Sequence, residues 1–371
     1  MVTEIKNSED ITKQRKIKFF EKIISDNGET AICLSGGAKL SFFHIGLILE
    51  LVKTDLLPNI ISGTSGGAIS AAFICVRSNS EIVQMKNETN ILKDIFQTSL
   101  ARVARKNGSL LEKENFTKRI KELCLGNTTF KEAYRKTGKV LNIPATKLNS
   151  NKDPVMLNYR NSPDVCIWSA VMASTALPKV LPPGELFVKR QNGSIEPYNS
   201  LGKLWLDGSY QSDVPLRQLR EKFNVTYTIV SQTNPHVAPF ALQNTGSGGE
   251  PPEHRSGNGL KGGFVLSALE IFLRIEMRKW IIVLQKLGIV PLLGGYDLSQ
   301  IVVQKFSGTV TIYANLGMFD YLNILLTATE KEVLSLVERG KKAFWPKRKM
   351  ISNRVLLEKT LKKFLADLRD D

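Results

Sequence analysis

Residues 30–76, TAICLSGGAKLSFFHIGLILELVKTDLLPNIISGTSGGAISAAFICV, carry one short pattern twice. An apolar run of strand type (TAICL, then NIIS) meets a cluster of glycines. The glycines then open onto a helical stretch, SFFHIGLILELVK the first time and AISAAFICV the second. Strand, glycine turn and helix in repetition is the grammar of a parallel sheet, because parallel neighbours need a crossover connection and a helix usually supplies it. Further strands are expected at KVLNIPAT, at KLWLDG running into a turn, at VTYTIVSQ and at TVTIYANL. The fold class is α/β with a largely parallel central sheet.

Around this centre the chain divides into four parts. Residues 1–29 form a helical arm, with ITKQRKIKFFEKIISD (11–26) carrying apolar residues at helical spacing. Residues 30–235 are the α/β domain, charged and helical in its middle, with CIWSAVMASTALP as a short helix of small residues stopped by Pro178. Residues 236–263 are rich in Pro, Gly and Ser and read as a mobile loop. Residues 264–371 are mostly helical, opening with FVLSALEIFLRIEMRKWIIVLQKLG and closing on SNRVLLEKTLKKFLADL.

The composition, 42% hydrophobic and 23% charged over 371 residues, is that of a globular chain with a large core and excludes a disordered one. A net charge of +16 suits an acidic partner, either nucleic acid or anionic lipid headgroups. No aromatic-basic module supports nucleic acid, so a lipid interface is the better expectation. Cys33, Cys75, Cys124 and Cys166 show no C-x-x-C spacing, which argues against a disulfide frame or a zinc site and suits a reducing compartment. The N-terminus, MVTEIKNSEDITKQRK, is polar, and no uncharged run approaches the ~18 residues of a membrane span. The expectation is an intracellular, cytoplasmic protein whose contact with lipid is peripheral.

The second glycine cluster frames Ser65 between Gly63 and Gly67 in the pattern G-x-S-x-G. That is either a pliable loop or a nucleophile elbow, the tight strand-to-helix turn that holds a hydroxyl clear of the backbone. A serine nucleophile needs a base, and its tetrahedral intermediate needs hydrogen-bond donors. Donors are available one unit earlier, where Gly36 and Gly37 leave amides uncovered at a helix start. A dinucleotide or Walker loop does not fit there, since SGGAKL is neither G-x-G-x-x-G nor followed by G-K-[ST]. For the base there are three histidines and one well-placed carboxylate. His44 lies inside a helix and reads as structural, and His254 sits in the polar loop without an anchor. His236 follows a strand and could reach a site. Asp207, in WLDGS, stands at a strand end beside Gly208, where a site residue or a plain turn would equally stand.

A glycine-rich loop, then G-x-S-x-G, then Asp-Gly, in that order, resembles the patatin-like acyl hydrolases. The blocks IISGTSGGAISA, NSPDVCIWSAVMASTALPKVLPP, LWLDGSYQSDVP, FNVTYTIVSQTNPHVAPF and RGKKAFWPKRKMISN are similar to the fungal lipid-droplet triacylglycerol lipases and their plant oil-body relatives, over roughly residues 14 to 365. The resemblance implies a patatin-like three-layer fold and a lipid acyl hydrolase working through an acyl-enzyme, most naturally on triacylglycerol. Phospholipase, lysophospholipase or acyltransferase chemistry on the same fold, and a non-catalytic lipid-binding relative, are the alternatives. It makes Ser65 the nucleophile and Asp207 the base, without histidine. It places the oxyanion donors at the amides of Gly36, Gly37 and Ala38, and puts Lys39 where many patatins carry arginine. No cofactor and no metal is implied, and the expected partner is lipid at a droplet or membrane surface. Ser35 and Leu40 replace the first and last glycines of the patatin loop, and Ser209 stands where patatins usually have Gly or Ala. The longer N-terminal helical region of these lipases has no counterpart in this sequence. The H-x-x-x-x-D motif ascribed to acyl transfer is missing, since His44, His236 and His254 are followed five residues on by Leu49, Ala241 and Gly259.

Overall fold

A computed structural model describes residues 2–84, 112–148, 154–177, 180–210, 212–234, 306–314 and 328–370, together with isolated positions between 237 and 324. The chain enters through α1 (Val2–Asn7) and α2 (Lys13–Asn27) and then lays down β1 (Glu29–Leu34), α3 (Phe42–Lys53), β2 (Ile60–Gly63), α4 (Gly66–Cys75) and α5 (Asn79–Gln84). Helices α6 (Lys113–Leu123) and α7 (Phe130–Thr137) precede β3 (Val140–Lys147) and β4 (Val155–Leu157). Then come α8 (Ile167–Ser174), the hairpin β5 (Phe187–Lys189) and β6 (Ile195–Pro197), and β7 (Trp205–Asp207). Helix α9 (Leu216–Phe223) leads to β8 (Val225–Gln232); a two-stranded ribbon, β9 (Leu292–Leu293) with β10 (Tyr296–Asp297), precedes β11 (Val310–Tyr313). The chain ends in α10 (Glu330–Phe344) and α11 (Arg348–Asp370).

The central sheet has the order β11-β8-β1-β2-β3-β4, with β7 also on β3. The first four of these pairings are parallel, and β4 and β7 are antiparallel to β3. Strands β1 and β2 are apolar runs because both of their faces are covered, as parallel strands require. Helix α4, GGAISAAFIC, and α8, IWSAVMAS, are buried all round, which explains their small residues and the absence of a polar face. Phe344 at the end of α10 joins the main core with Phe43 and Leu47 of α3.

The C-terminal segment is part of this architecture. Strand β11 extends the sheet beyond β8, pairing Val310 with Ile229 through Tyr313 with Gln232. Helix α10 lies so close on α3 that a Cβ on Gly46 would stand 1.8 Å from Val337 O, and one on Gly340 would stand 2.0 Å from Phe43 O. Only glycine allows the two backbones to meet. Helix α11 returns to the start of the chain and packs Leu361 and Leu368 on Phe20 of α2.

The register of β3 decides where Asp207 falls. Ala145 pairs with Val155 of β4 on one side and with Asp207 of β7 on the other. Strand β2 occupies that second side but pairs only with Val140, Leu141 and Asn142. Strand β7 therefore fills the place where β2 stops. Running the opposite way, it brings its last residue, Asp207, to the end of β2 from which the Ser65 turn springs.

Candidate active site

Ser65 links β2 to α4 with φ 53° and ψ −124°, a conformation that costs a non-glycine residue about 1–3 kcal/mol and is held by what surrounds it. Thr64 N–H donates to Leu34 O at 3.1 Å, and Gly67 N–H to Thr64 O at 2.8 Å. The two glycines of the motif are required by contact. A Cβ on Gly67 would lie 2.2 Å from Leu34 O, and one on Gly63 would lie 2.3 Å from Gly67 O. Ser65 N–H donates to Ser174 Oγ at 3.2 Å, and Ser174 Oγ–H in turn donates to Pro144 O at 2.7 Å. The turn is thus an elbow with a partly exposed serine at its tip.

Asp207 is 1% exposed. Its Oδ1 accepts from Ser209 N–H at 2.8 Å and from Ser209 Oγ–H at 2.7 Å. Its Oδ2 is buried without a hydrogen bond of standard geometry. Burial pushes the carboxyl above its ordinary value, while hydrogen bonding from the Ser65 hydroxyl and from Ser209 pulls the other way. The Ser65 hydroxyl is thus close enough to favour the carboxylate, without a formed bond, and contacts of this kind tighten as the reacting groups close. Gly208 passes against Pro144 O, where a Cβ would lie 2.2 Å away.

The loop after β1 has its first two residues tied down. Ser35 N–H donates to Ser231 O at 3.0 Å, and Ser35 Oγ accepts from Thr233 N–H at 2.7 Å. Gly36 O accepts from Thr233 Oγ–H at 2.8 Å. The Gly36 amide is not an open donor as the sequence suggests, because it donates to Asp213 Oδ1 at 2.8 Å. Gly37 (φ 145°) and Ala38 (φ 47°) follow in left-handed backbone, both partly exposed, and their amides have no partner among the described residues. These two N–H groups are the donors the loop offers. Lys39 points inward, 3% exposed, with Nζ 3.1 Å from Glu332 Oε1 at the start of α10.

His44 is fully buried in α3, with Nε2 3.0 Å from Ser35 O and Nδ1 2.7 Å from Ser231 Oγ. A carbonyl can only accept, so Nε2 carries the hydrogen and Nδ1 accepts, which makes the ring a neutral tie between the loop after β1 and β8. It makes no hydrogen bond to Ser65 or Asp207. Burial lowers its pKa from 6.5 to about 4. The folded state therefore binds fewer protons than the unfolded one between those values, and stability falls as pH drops from 6.5 towards 4. The gap is worth ~3 kcal/mol. His44→Gln should flatten this part of the stability–pH curve in denaturant titrations at pH 7 and pH 4.5. His236, His254 and the 236–263 stretch lie outside the described residues apart from Val237.

Sequence reasoning missed Ser174 and the pair Asp213–Asn234, and met Ser209 only as a departure from the family pattern. Ser174 lies within the WSAVMAS block and Ser209 and Asp213 within LDGSYQSDVP, but neither block says which hydroxyl or carboxylate faces inward. Among the described residues no cluster of His, Cys, Asp and Glu could hold a metal ion, and the four cysteines are buried and unpaired.

Residues 32–220 match the family model described as patatin-like phospholipase, a span that runs from within β1 through the Ser65 elbow, β7 and the Asp207 turn. The chain belongs to the patatin-like phospholipase family. A patatin-like phospholipase domain-containing protein of Neurospora crassa is 37% identical over 369 residues, 98% of this chain and 42% of the relative. Another, from Neosartorya fischeri, is 38% identical over 360 residues, 96% of this chain and 50% of the relative. The patatin-like chain thus spans about half the length of the curated relatives it matches. Among solved structures, human group IVD cytosolic phospholipase A2 is 11% identical with a TM-score of 0.42, covering 95% of this chain and 64% of that one.

Proposed function

We propose that this patatin-like chain hydrolyses fatty-acyl esters of lipids through a Ser65–Asp207 dyad, with triacylglycerol as its substrate. The observation that carries the reading is the buried, unbonded Oδ2 of Asp207 beside a serine held on a strained elbow. Asp207 takes the Ser65 hydroxyl proton while Oγ bonds to the ester carbonyl carbon. The carbonyl oxygen becomes an oxyanion held by the Gly37 and Ala38 amides. Collapse breaks the ester C–O bond, and the leaving alkoxide takes the proton from Asp207 and departs as an alcohol. Water repeats the sequence on the acyl-enzyme and releases the fatty acid. Raised by burial, Asp207 is a better proton acceptor than a solvated aspartate.

A neutral ester suits the surroundings of the loop. Lys39, its nearest cation in sequence, is buried against Glu332 and presents no charge to a substrate phosphate. An insoluble substrate also requires a docking surface, and among the described residues no helix is long and apolar enough to cross a membrane. The described helical positions between 269 and 283 supply a candidate. Leu269, Phe272, Ile275 and Trp280, with Leu287 at the turn beyond, fall within an arc of roughly 140° at helical spacing. Phe272 is 59% and Trp280 56% exposed, with Lys279 beside the indole. Exposed apolar side chains with Lys279, itself paired with Glu276, at their edge, on a chain of net charge +16, suit a helix lying in a lipid interface. Val265, Ala268, Glu270, Arg274 and Arg278, in the same stretch of sequence, lie outside the described residues.

One experiment tests substrate and docking together. Purified wild type should hydrolyse emulsified trioleoylglycerol faster than phosphatidylcholine vesicles. A Phe272→Ser, Trp280→Ser double variant should lose binding to the emulsion by about tenfold while cleaving a short soluble ester at the wild-type rate. Preference for phosphatidylcholine would overturn the substrate assignment. Equal loss on emulsion and soluble ester would make the helix part of the core.

A further inference from the structure

Asp213 lies six residues beyond Asp207, is 2% exposed, and is not used in the chemistry above. Its side chain spans two elements: Oδ1 accepts from Gly36 N–H at 2.8 Å and Oδ2 accepts from Asn234 Nδ2–H at 2.7 Å. Its backbone carbonyl accepts from Thr64 Oγ–H at 2.8 Å, on the residue before the nucleophile. One residue therefore grips the donor loop with its carboxylate and the elbow with its main chain. The space is tight, since a Cβ on Gly36 would stand 3.3 Å from Ser65 Cβ and 3.4 Å from Asp213 Oδ1.

Peptide planarity turns this grip into an orientation. In a trans peptide the C=O and the following N–H point in opposite directions. The peptide joining Ser35 to Gly36 is held at both ends, its oxygen by His44 Nε2 and its N–H by Asp213. The peptide joining Gly36 to Gly37 has its oxygen on Thr233 Oγ, so the Gly37 N–H must face away from Thr233. These two planes fix the backbone at Gly36 and aim the Gly37 N–H, and the left-handed backbone at Gly37 and Ala38 continues from there.

We propose that Asp213, together with Thr233, is a positioning residue that sets the open amides of Gly37 and Ala38 against Ser65. It rests on the reading that Ser65 is acylated and that these amides hold the oxyanion. Such donors act on the transition state rather than on bound ester, so losing their placement lowers kcat and leaves KM nearly unchanged. Displacements of about 1 Å are enough to cost about 10²-fold.

The test uses the full chain and a soluble p-nitrophenyl ester, with the rate of fluorophosphonate labelling as a second readout. Asp213→Ala should lower kcat and the labelling rate by about 10²-fold with KM within about twofold of wild type. Asp213→Asn, which keeps an oxygen for Gly36 N–H, should recover kcat to within about tenfold of wild type. Thr233→Val removes the hydroxyl that donates to Gly36 O and also lies 3.2 Å from His44 Nε2, and should lower kcat by about tenfold even if the alanine variant does not fold. Wild-type kcat in folded Asp213→Ala or in Thr233→Val would overturn the proposal, as would an asparagine variant as slow as alanine. Ser65→Ala run in parallel separates the two readings. If it stays active, the acyl-enzyme reading fails; if it is dead while the positioning variants are normal, only the positioning role fails.

Discussion

Ser65→Ala should lower ester hydrolysis by about 10⁴-fold or more and abolish fluorophosphonate labelling. The expectation follows from the chemistry and from how the residue is held. Ser65 occupies a strained backbone conformation at the tip of the elbow, and the contacts that fix it are backbone contacts around Gly63, Gly67 and Leu34 together with the Ser174 hydroxyl. None of these is made by the Ser65 side chain, so alanine should leave the fold intact. Thermal unfolding within a few degrees of wild type is the control. A folded alanine variant with wild-type turnover would mean that another group attacks the ester.

The second large effect is expected at Asp207. Asp207→Asn keeps the shape of the side chain and an oxygen for Ser209 N–H, but an amide cannot accept the serine proton. Loss of a general base costs about 10²–10⁴-fold, and the upper end is expected here because no hydrogen bond joins His44 to Ser65 or Asp207. His236→Ala and His254→Ala should each keep most of their turnover. A dead His236→Ala would add a third member to the dyad.

The elements of the fold were legible in the sequence where burial on both faces writes an unbroken apolar run. TAICL falls on β1 for that reason, whereas KVLNIPAT and VTYTIVSQ fall on β3 and β8 through β-branched and apolar residues interleaved with polar ones. The order of Ser65 and Asp207 within their motifs was legible too, because an elbow and a strand-end Asp-Gly each carry a local signature. Their meeting was not. It depends on a three-residue strand taking up the side of β3 that β2 leaves open, and nothing in Trp205–Asp207 records which partner Ala145 accepts. Gly36 shows a different limit. Uncovered glycine amides look alike in a sequence, and only the buried Asp213 separates the one that is occupied from the two that are open. Ser209 and Lys39 stood out as departures from the family pattern, but their partners, Asp207 and Glu332, come from the folded chain. Helix α10 falls within the C-terminal region that reads as mostly helical, whereas its intimate seat on α3 hangs on Gly46, which within an apolar helix reads only as a weak spot.

The acyl-enzyme can be tested by mass. Wild-type protein treated with a fluorophosphonate, then digested and mapped, should carry one phosphonyl group on the peptide that contains Ser65. The Asp207→Asn variant should acquire it at least about 10²-fold more slowly. An adduct on a different serine, or no adduct in protein that still hydrolyses ester, would contradict the Ser65–Asp207 mechanism.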